Sequence, residues 1–154
     1  MNSYYLDTSA LVKHYVDEIG SDWIHSLIKA TPRPLLIVSH IVSVEVFSAL
    51  TRRLREGSLT IADYERTKIA FRRDYLSRYQ IVIATVSVVD TACDLLERHA
   101  LRAYDATHLA VALAANRSLV ARGHAALKFL SADDRLNQAA SAEDLMVDNP
   151  NHHP

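Results

Sequence analysis

Ser3-Tyr4-Tyr5-Leu6-Asp7-Thr8-Ser9 sets a short aromatic and apolar run directly before one acidic and two hydroxyl residues. Such a run reads as a buried strand that ends at a helix N-cap. Helical patterning follows over about 9–30, interrupted near Gly20 and broken by Pro32 and Pro34. The same alternation then recurs down the chain. Leu35-Leu36-Ile37-Val38 is a second strand, Ser39 caps a long helix that Gly57 ends after Glu56, and Thr60 caps another reaching about Ser77. Ile81-Val82-Ile83 is a third strand, helices follow over 88–100 and 104–116, Lys128-Phe129-Leu130-Ser131 is a fourth strand, and Leu145-Met146-Val147 a short fifth. Continuous apolar strands separated by helices predict a parallel sheet of four to five strands covered on both faces, a three-layer α/β/α domain. It spans 1–148, and 149–154 reads as a polar, frayed tail in which His152-His153 is a mobile end.

The 154 residues suffice for one domain with a true core, and neither a repeat nor a domain boundary interrupts them. A single cysteine, Cys93, excludes an internal disulfide framework and reads as buried helix packing. The N-terminus lacks the basic start and apolar run of a signal peptide, and no run is long enough to span a bilayer, so the expectation is a cytoplasmic protein with no membrane partner. The net charge of −1 does not advertise nucleic-acid binding, but its distribution is uneven. Residues 52–78 carry eight of the 17 Lys and Arg, among them Arg52, Arg72 and Arg73, against four acids. Two readings stand: a pair of solvated helix faces, or a surface that brings a phosphate backbone toward an acidic site.

In sheets of this kind ligands gather at the carboxyl ends of the strands, which gives four carboxylates their interest. Asp7 follows the first strand, where a helix cap and a crevice carboxylate are equal alternatives. Glu45 falls at the edge of the core stripe Val42, Val46, Leu50 and Leu54, partly buried or ion-paired with Arg52. Asp105 opens a helix that is apolar almost all round and continues the line of Leu109, Ala112 and Leu113; burial there requires an ion or a helix N-terminus to compensate it. Asp133 ends the fourth strand as Asp7 ends the first, with Asp134 its rival and turn chemistry the plain alternative. Were the four to converge, like charges would raise one another's pKa unless cations compensated them. An all-oxygen donor set without a cysteine cluster or an obvious histidine pair suits Mg²⁺ or Mn²⁺, which can activate water for phosphodiester hydrolysis.

Leu6-Asp7-Thr8-Ser9-Ala10-Leu11-Val12, Ser43-Val44-Glu45-Val46, Tyr104-Asp105-Ala106-Thr107-His108-Leu109-Ala110 and Leu130-Ser131-Ala132-Asp133 resemble, in order and spacing, the PIN domain. The resemblance covers essentially the whole chain, and the length and the Arg102-Ala103-Tyr104-Asp105-Ala106 segment look like the VapC toxins of bacterial toxin–antitoxin pairs. It implies a metal-dependent endoribonuclease leaving 5′-phosphate and 3′-hydroxyl ends, a homodimer, and a cognate VapB-like antitoxin that plugs the acidic site. By position it assigns Asp7, Glu45, Asp105 and Asp133 as the catalytic, metal-holding quartet, and Thr8, Ser9 and Ser131 as supporting polar groups. Ser131 stands where Thr is commoner, and Asp134 follows Asp133 as a second possible ligand.

Among the remaining polar residues, His108 reads as structural before a proton-transfer group, Lys13 as exposed with substrate or metal-site pairing as the alternative, Trp23 as core or dimer packing before a base-stacking platform, and Arg102 as a surface charge or a phosphate contact. An Asp-nucleophile phosphatase needs a second Asp two residues after the first, where Ser9 stands, and a phospho-receiver wants paired acids at the start. A PIN fold without hydrolysis, serving as a protein or RNA platform, is the alternative of a different class; the intact quartet argues against it.

Overall fold

The structure is a computed structural model that describes residues 1–154. Five strands form one parallel sheet: β1 (Ser3–Leu6), β2 (Leu35–Ser39), β3 (Gln80–Val82), β4 (Lys128–Leu130) and β5 (Met146–Asp148), in the order β3-β2-β1-β4-β5. Around it lie α1 (Thr8–Leu11), α2 (Ser21–Lys29), α3 (Val42–Arg55), α4 (Ile61–Ser77), α5 (Val86–Arg98), α6 (Ala103–Ala121) and α7 (Asp134–Ala142), with 3-10 turns at Val12–His14 and Pro150–His152. This is the three-layer α/β/α arrangement expected from the strand runs.

The period of two along each strand divides the core. Tyr5, Ile37 and Phe129 point to one face, where Ala106, Leu109, Ala110, Leu95 and Leu136 cover them. Leu6, Leu36, Val38 and Leu130 point to the other, under Ala10, Leu11, Ile24, Val46, Leu50 and Phe71. Register ties this alternation together, with Tyr5 opposite both Ile37 and Phe129. A slip of one residue would turn all three aromatic and aliphatic side chains to the wrong layer. Because β1 is central, the turn after Leu6 opens in the middle of the sheet's carboxyl edge, and β4 ends beside it.

Several local expectations change. Ser39 does not cap a helix; it ends β2, fully buried, and α3 begins at Val42 after Ile41, which offers no side-chain cap. The helical pattern over 9–30 resolves into α1, a 3-10 turn and α2, divided where Gly20 takes φ +86°. Helix α7, bounded by the Asp133 cap, was not expected; its apolar Leu136, Ala139 and Ala140 form a stripe too short to stand out from the turn before it. Cys93 is exposed, because α5 turns Val88, Ala92 and Leu95 inward and leaves position 93 outside that stripe.

The C-terminal residues are not a free end. Pro150 is buried against Gly20, where a side chain would collide with the Pro150 backbone. His153 stacks on Trp23 with ring centroids 4.2 Å apart and contacts Asp148 at 2.8 Å. Trp23 therefore meets His153 of its own chain, and Asn149 and Pro150 are buried against the domain. No helix is long and apolar enough to cross a membrane.

Candidate active site

One cleft of about 830 Å³ opens at the carboxyl edge of β1 and β4, and Asp7, Glu45, Asp105 and Asp133 all line it. They reach it from four elements: the end of β1, the first turn of α3, the first turn of α6, and the cap of α7. Asp7 and Asp105, 98 positions apart in the chain, thus share one space. Asp134 does not line it. Its carboxylate accepts from Asn149 Nδ2 at 2.7 Å and faces the C-terminal turn.

Asp7 is the most buried of the four, 5% exposed. It caps α1 by accepting the Ala10 N–H at 2.9 Å, and the hydroxyls of Ser9 and Ser131 each donate to it at 2.7 Å. Burial pushes its carboxyl above the ordinary range; the His108 ring and these three donors oppose that shift without cancelling it. The two serines also fasten the next strand end, for Ser9 Oγ accepts the Ala132 N–H and Ser131 Oγ accepts the Asp133 N–H. The supporting hydroxyls therefore couple β1 to the turn that carries Asp133.

Glu45 is held from two sides. The Thr8 hydroxyl donates to Oε2 at 2.6 Å, and His108 Nε2 lies 3.0 Å from Oε1. The boundary pair with Arg52 does not form. Burial alone would raise the Glu45 carboxyl, but the His108 ring and the Thr8 hydroxyl hold it below the usual range. His108 is 2% exposed, and its Nδ1 lies 2.8 Å from the buried Tyr5 hydroxyl. Burial raises the Tyr5 pKa well above its ordinary value, so the phenol stays protonated and donates to Nδ1. Nε2 then carries the hydrogen and donates to Glu45, so both its nitrogens are used. His108 is thus structural, as its place in the helix suggested, but its link between Tyr5 and Glu45 was not foreseen. Its signal was position: three residues beyond Asp105, on the buried side of an all-apolar helix.

Asp105 and Asp133 are joined by Arg102. The Arg102 Nε donates to Asp105 Oδ2 at 3.1 Å, and a terminal nitrogen lies 3.5 Å from Asp133 Oδ2. Asp105 also accepts the Arg102 backbone N–H at 3.4 Å, which ties the residue before α6 to its first turn. Asp133 accepts the Arg135 and Leu136 N–H groups, so turn chemistry and cleft exposure coexist in one residue.

The basic residues divide. Arg52 and Arg53 line the cleft, and so does Lys13, which is buried rather than exposed: it donates to the Ile19 carbonyl at 2.7 Å and pairs with Glu18, as Arg53 also does. Arg72 and Arg73 lie outside it. Arg72 packs over the Phe47 ring, and Arg73 pairs with Asp74.

As a donor set the cleft offers carboxylate and hydroxyl oxygens, the chemistry of a hard divalent cation. No three His, Cys, Asp or Glu side chains stand close enough together to hold one ion as they are. Of the four carboxylates, only Asp105 and Asp133 have a guanidinium bridging them. Arg102 in that position shows that this cleft accepts a cation among its acids. The fit to a divalent ion is thus one of chemistry, with ligands gathered at one cleft and not yet converged.

The PIN-domain family model matches residues 4–141. No curated protein sequence matches the chain. Among solved structures, VapC20 of Mycobacterium tuberculosis, a sarcin–ricin loop cleaving toxin, superimposes with a TM-score of 0.64 at 20% identity, covering 88% of this chain and 94% of its own. PAE2754 of Pyrobaculum aerophilum gives a TM-score of 0.66 at 16% identity over 99% of this chain and 92% of its own. DNA-bound VapBC of Salmonella typhimurium gives 0.60 at 15% over 97% and 99%. At these identities the structural likeness speaks for the fold alone.

Proposed function

Because the chain belongs to the PIN-domain family, we propose that it is a metal-dependent endoribonuclease, the toxin of a toxin–antitoxin pair. Four carboxylates from four separate elements lining one cleft is the observation that carries this reading. Asp7, Glu45, Asp105 and Asp133 would hold Mg²⁺ or Mn²⁺, with Asp133 rather than Asp134 as the fourth because only Asp133 faces the cleft. What a bound divalent cation supplies is a more acidic water and neutralisation of charge on the scissile phosphate. The chain's own residues do the rest. Ser9 and Ser131 orient Asp7, Thr8 and His108 orient Glu45, and the Ala10 N–H fixes Asp7 at the head of α1. Arg52, with Arg53 behind it, gives the opposite wall a positive edge along which an RNA backbone would run.

A VapB-like antitoxin as partner and a homodimer as the assembly complete the proposal. The likeness to VapBC complexes supports the partner, and an acidic cleft is a natural target for a basic segment.

The test is cleavage of single-stranded RNA with Mg²⁺ or Mn²⁺. Activity should disappear with EDTA and in Asp7→Asn and Asp105→Asn. Cleavage that persists unchanged in both variants would place the activity elsewhere.

A further inference from the structure

Arg102 stands apart from the other basic residues of the cleft. Lys13 and Arg53 are committed to Glu18 on the opposite wall, whereas the Arg102 side chain, 74% exposed, reaches in and bridges two carboxylates of different helices. Its planar fork allows that bridge; a point charge would favour one acid or the other. Asp133 has a second cationic neighbour, Arg135, but that contact is long, 4.0 Å, and falls on the other oxygen. Asp7 and Glu45 make no such contact, and their partners are hydroxyls, an N–H group and the His108 ring.

We infer that Arg102 is the built-in counter-ion of the cleft: its guanidinium holds Asp105 and Asp133 while no ion is bound and yields them to a divalent cation, so ion binding and release of this side chain are one coupled step. This rests on the metal-dependent reading above.

The physical case has three parts. The bridge is solvent-exposed, and exposed ion pairs are weak, so an incoming ion can displace it. The backbone of Arg102 is fixed apart from its side chain, because its carbonyl accepts the Ala106 N–H at 3.0 Å, so the side chain can leave without unravelling the start of α6. Displacement also leaves a free guanidinium at the cleft mouth, placed to meet a phosphate only once the ion is there. Bridge and ion compete for the same oxygens. The apparent affinity for the ion is then reduced by the fraction of molecules in which the bridge is closed.

Mn²⁺ titration of the full chain, read by the electron paramagnetic resonance signal of the free ion, tests this without reference to activity. Arg102→Gln should bind Mn²⁺ about fivefold more tightly than the wild-type chain. Arg102→Lys keeps the charge but loses the fork, and its affinity should fall closer to that of Arg102→Gln than to wild type. Equal affinities in wild type and Arg102→Gln would overturn the inference while leaving the metal site intact. An Arg102→Lys affinity equal to wild type would also overturn it, because bare charge would then set the affinity and the bridge would not. Absence of Mn²⁺ binding in the wild-type chain, or binding unaffected by Asp7→Asn, would remove the metal reading and this inference together.

Discussion

Asp7 and Asp74 are almost equally buried, 5% and 6% exposed, yet the protein treats the two charges differently. Asp74, on α4, is closed off: the Tyr15 hydroxyl donates to Oδ2 at 3.0 Å, Arg73 pairs with Oδ1 at 3.0 Å, and Tyr79 donates in turn to Tyr15 at 2.6 Å. Its charge is spent within the fold, fastening the 3-10 turn after α1 to α4. Asp7 has three donors, two hydroxyls and an N–H group, but no cation among them, and it opens into the cleft. A buried carboxylate with a cationic partner is architecture; one without is a standing demand for positive charge. Removing each in turn should therefore produce opposite phenotypes.

The largest effect expected is on catalysis at Asp7. Asparagine keeps Oδ1 as the acceptor for the Ala10 N–H and the Ser9 hydroxyl, and its amide NH2 can donate to Ser131 Oγ, while the charge is deleted. RNA cleavage in Mg²⁺ should fall at least about a hundredfold, and thermal stability in EDTA should be unchanged or higher. A loss of stability comparable to that of a core mutation would mean that Asp7 is architecture after all. Asp74→Ala should do the reverse. It strands the Tyr15 and Tyr79 hydroxyls and frees Arg73, at a cost on the order of 3 kcal/mol in urea unfolding, with cleavage per folded molecule retained.

How much of this contrast could be read from the sequence depends on what each residue needs to be recognised. The sheet was legible because strands buried on both faces leave continuous apolar runs, and Asp7 because it sits at the end of the first one. Asp105 was legible because a lone acid interrupts an apolar helix. Asp74 was not: it lies in a run of alternating charges, and only the meeting of α4 with Tyr15 buries it. The partners of His108 were not legible, and Lys13 was misread, for the same reason. Each takes its meaning from a partner far along the chain or in an irregular turn, Tyr5 and Glu45 in one case, the Ile19 carbonyl in the other. Arg102 was noticed for its charge, but its link between two helices is a tertiary fact. The tail misled because six polar residues without periodicity carry no sign that Pro150 will fit under Gly20.

The Asp74 region also carries one source of pH dependence. His14 packs there among His25, Arg78, Asp74 and Lys29, with its Nδ1 unpartnered. Burial, then the charges of His25 and Arg78, lower its pKa from 6.5 to about 4. The unfolded chain therefore binds a proton between those values that the folded chain refuses, and the stability His14 contributes is complete above pH 6.5 and lost as pH falls toward 4. Allowing for partial exposure, the loss should be about 1 to 2 kcal/mol, measurable as a steeper acid flank of urea unfolding. His14→Gln should flatten that flank between pH 6.5 and 4. An unchanged slope would move the acid sensitivity to the other groups in the cluster.

On the Asp7 side a smaller effect should come from Thr8→Val, which preserves shape and removes one of the two donors to Glu45. Support of this kind typically matters by about tenfold in activity or ion affinity. The Mg²⁺ concentration for half-maximal cleavage should rise, and stability should change by no more than about 1 kcal/mol. A fall in cleavage that excess Mg²⁺ cannot recover would assign Thr8 a role beyond holding Glu45.

The finest distinction concerns which basic residues meet RNA. Arg52 and Arg72 carry the same charge, but Arg52 lines the cleft, whereas Arg72 stacks over Phe47, 5.0 Å from the ring centroid, beside a separate apolar groove. Neutralising a phosphate contact should weaken binding for every RNA sequence and reduce the slope of affinity against salt by about one. Arg52→Gln should therefore raise KM a few-fold with a shallower salt dependence. Arg72→Gln should leave the slope unchanged and lose only packing against Phe47. Equal slope changes in the two variants would extend the RNA path from the cleft across the α3–α4 surface. The contrast between an open acidic cleft and a self-contained flank would then hold for the aspartates but not for the arginines around them.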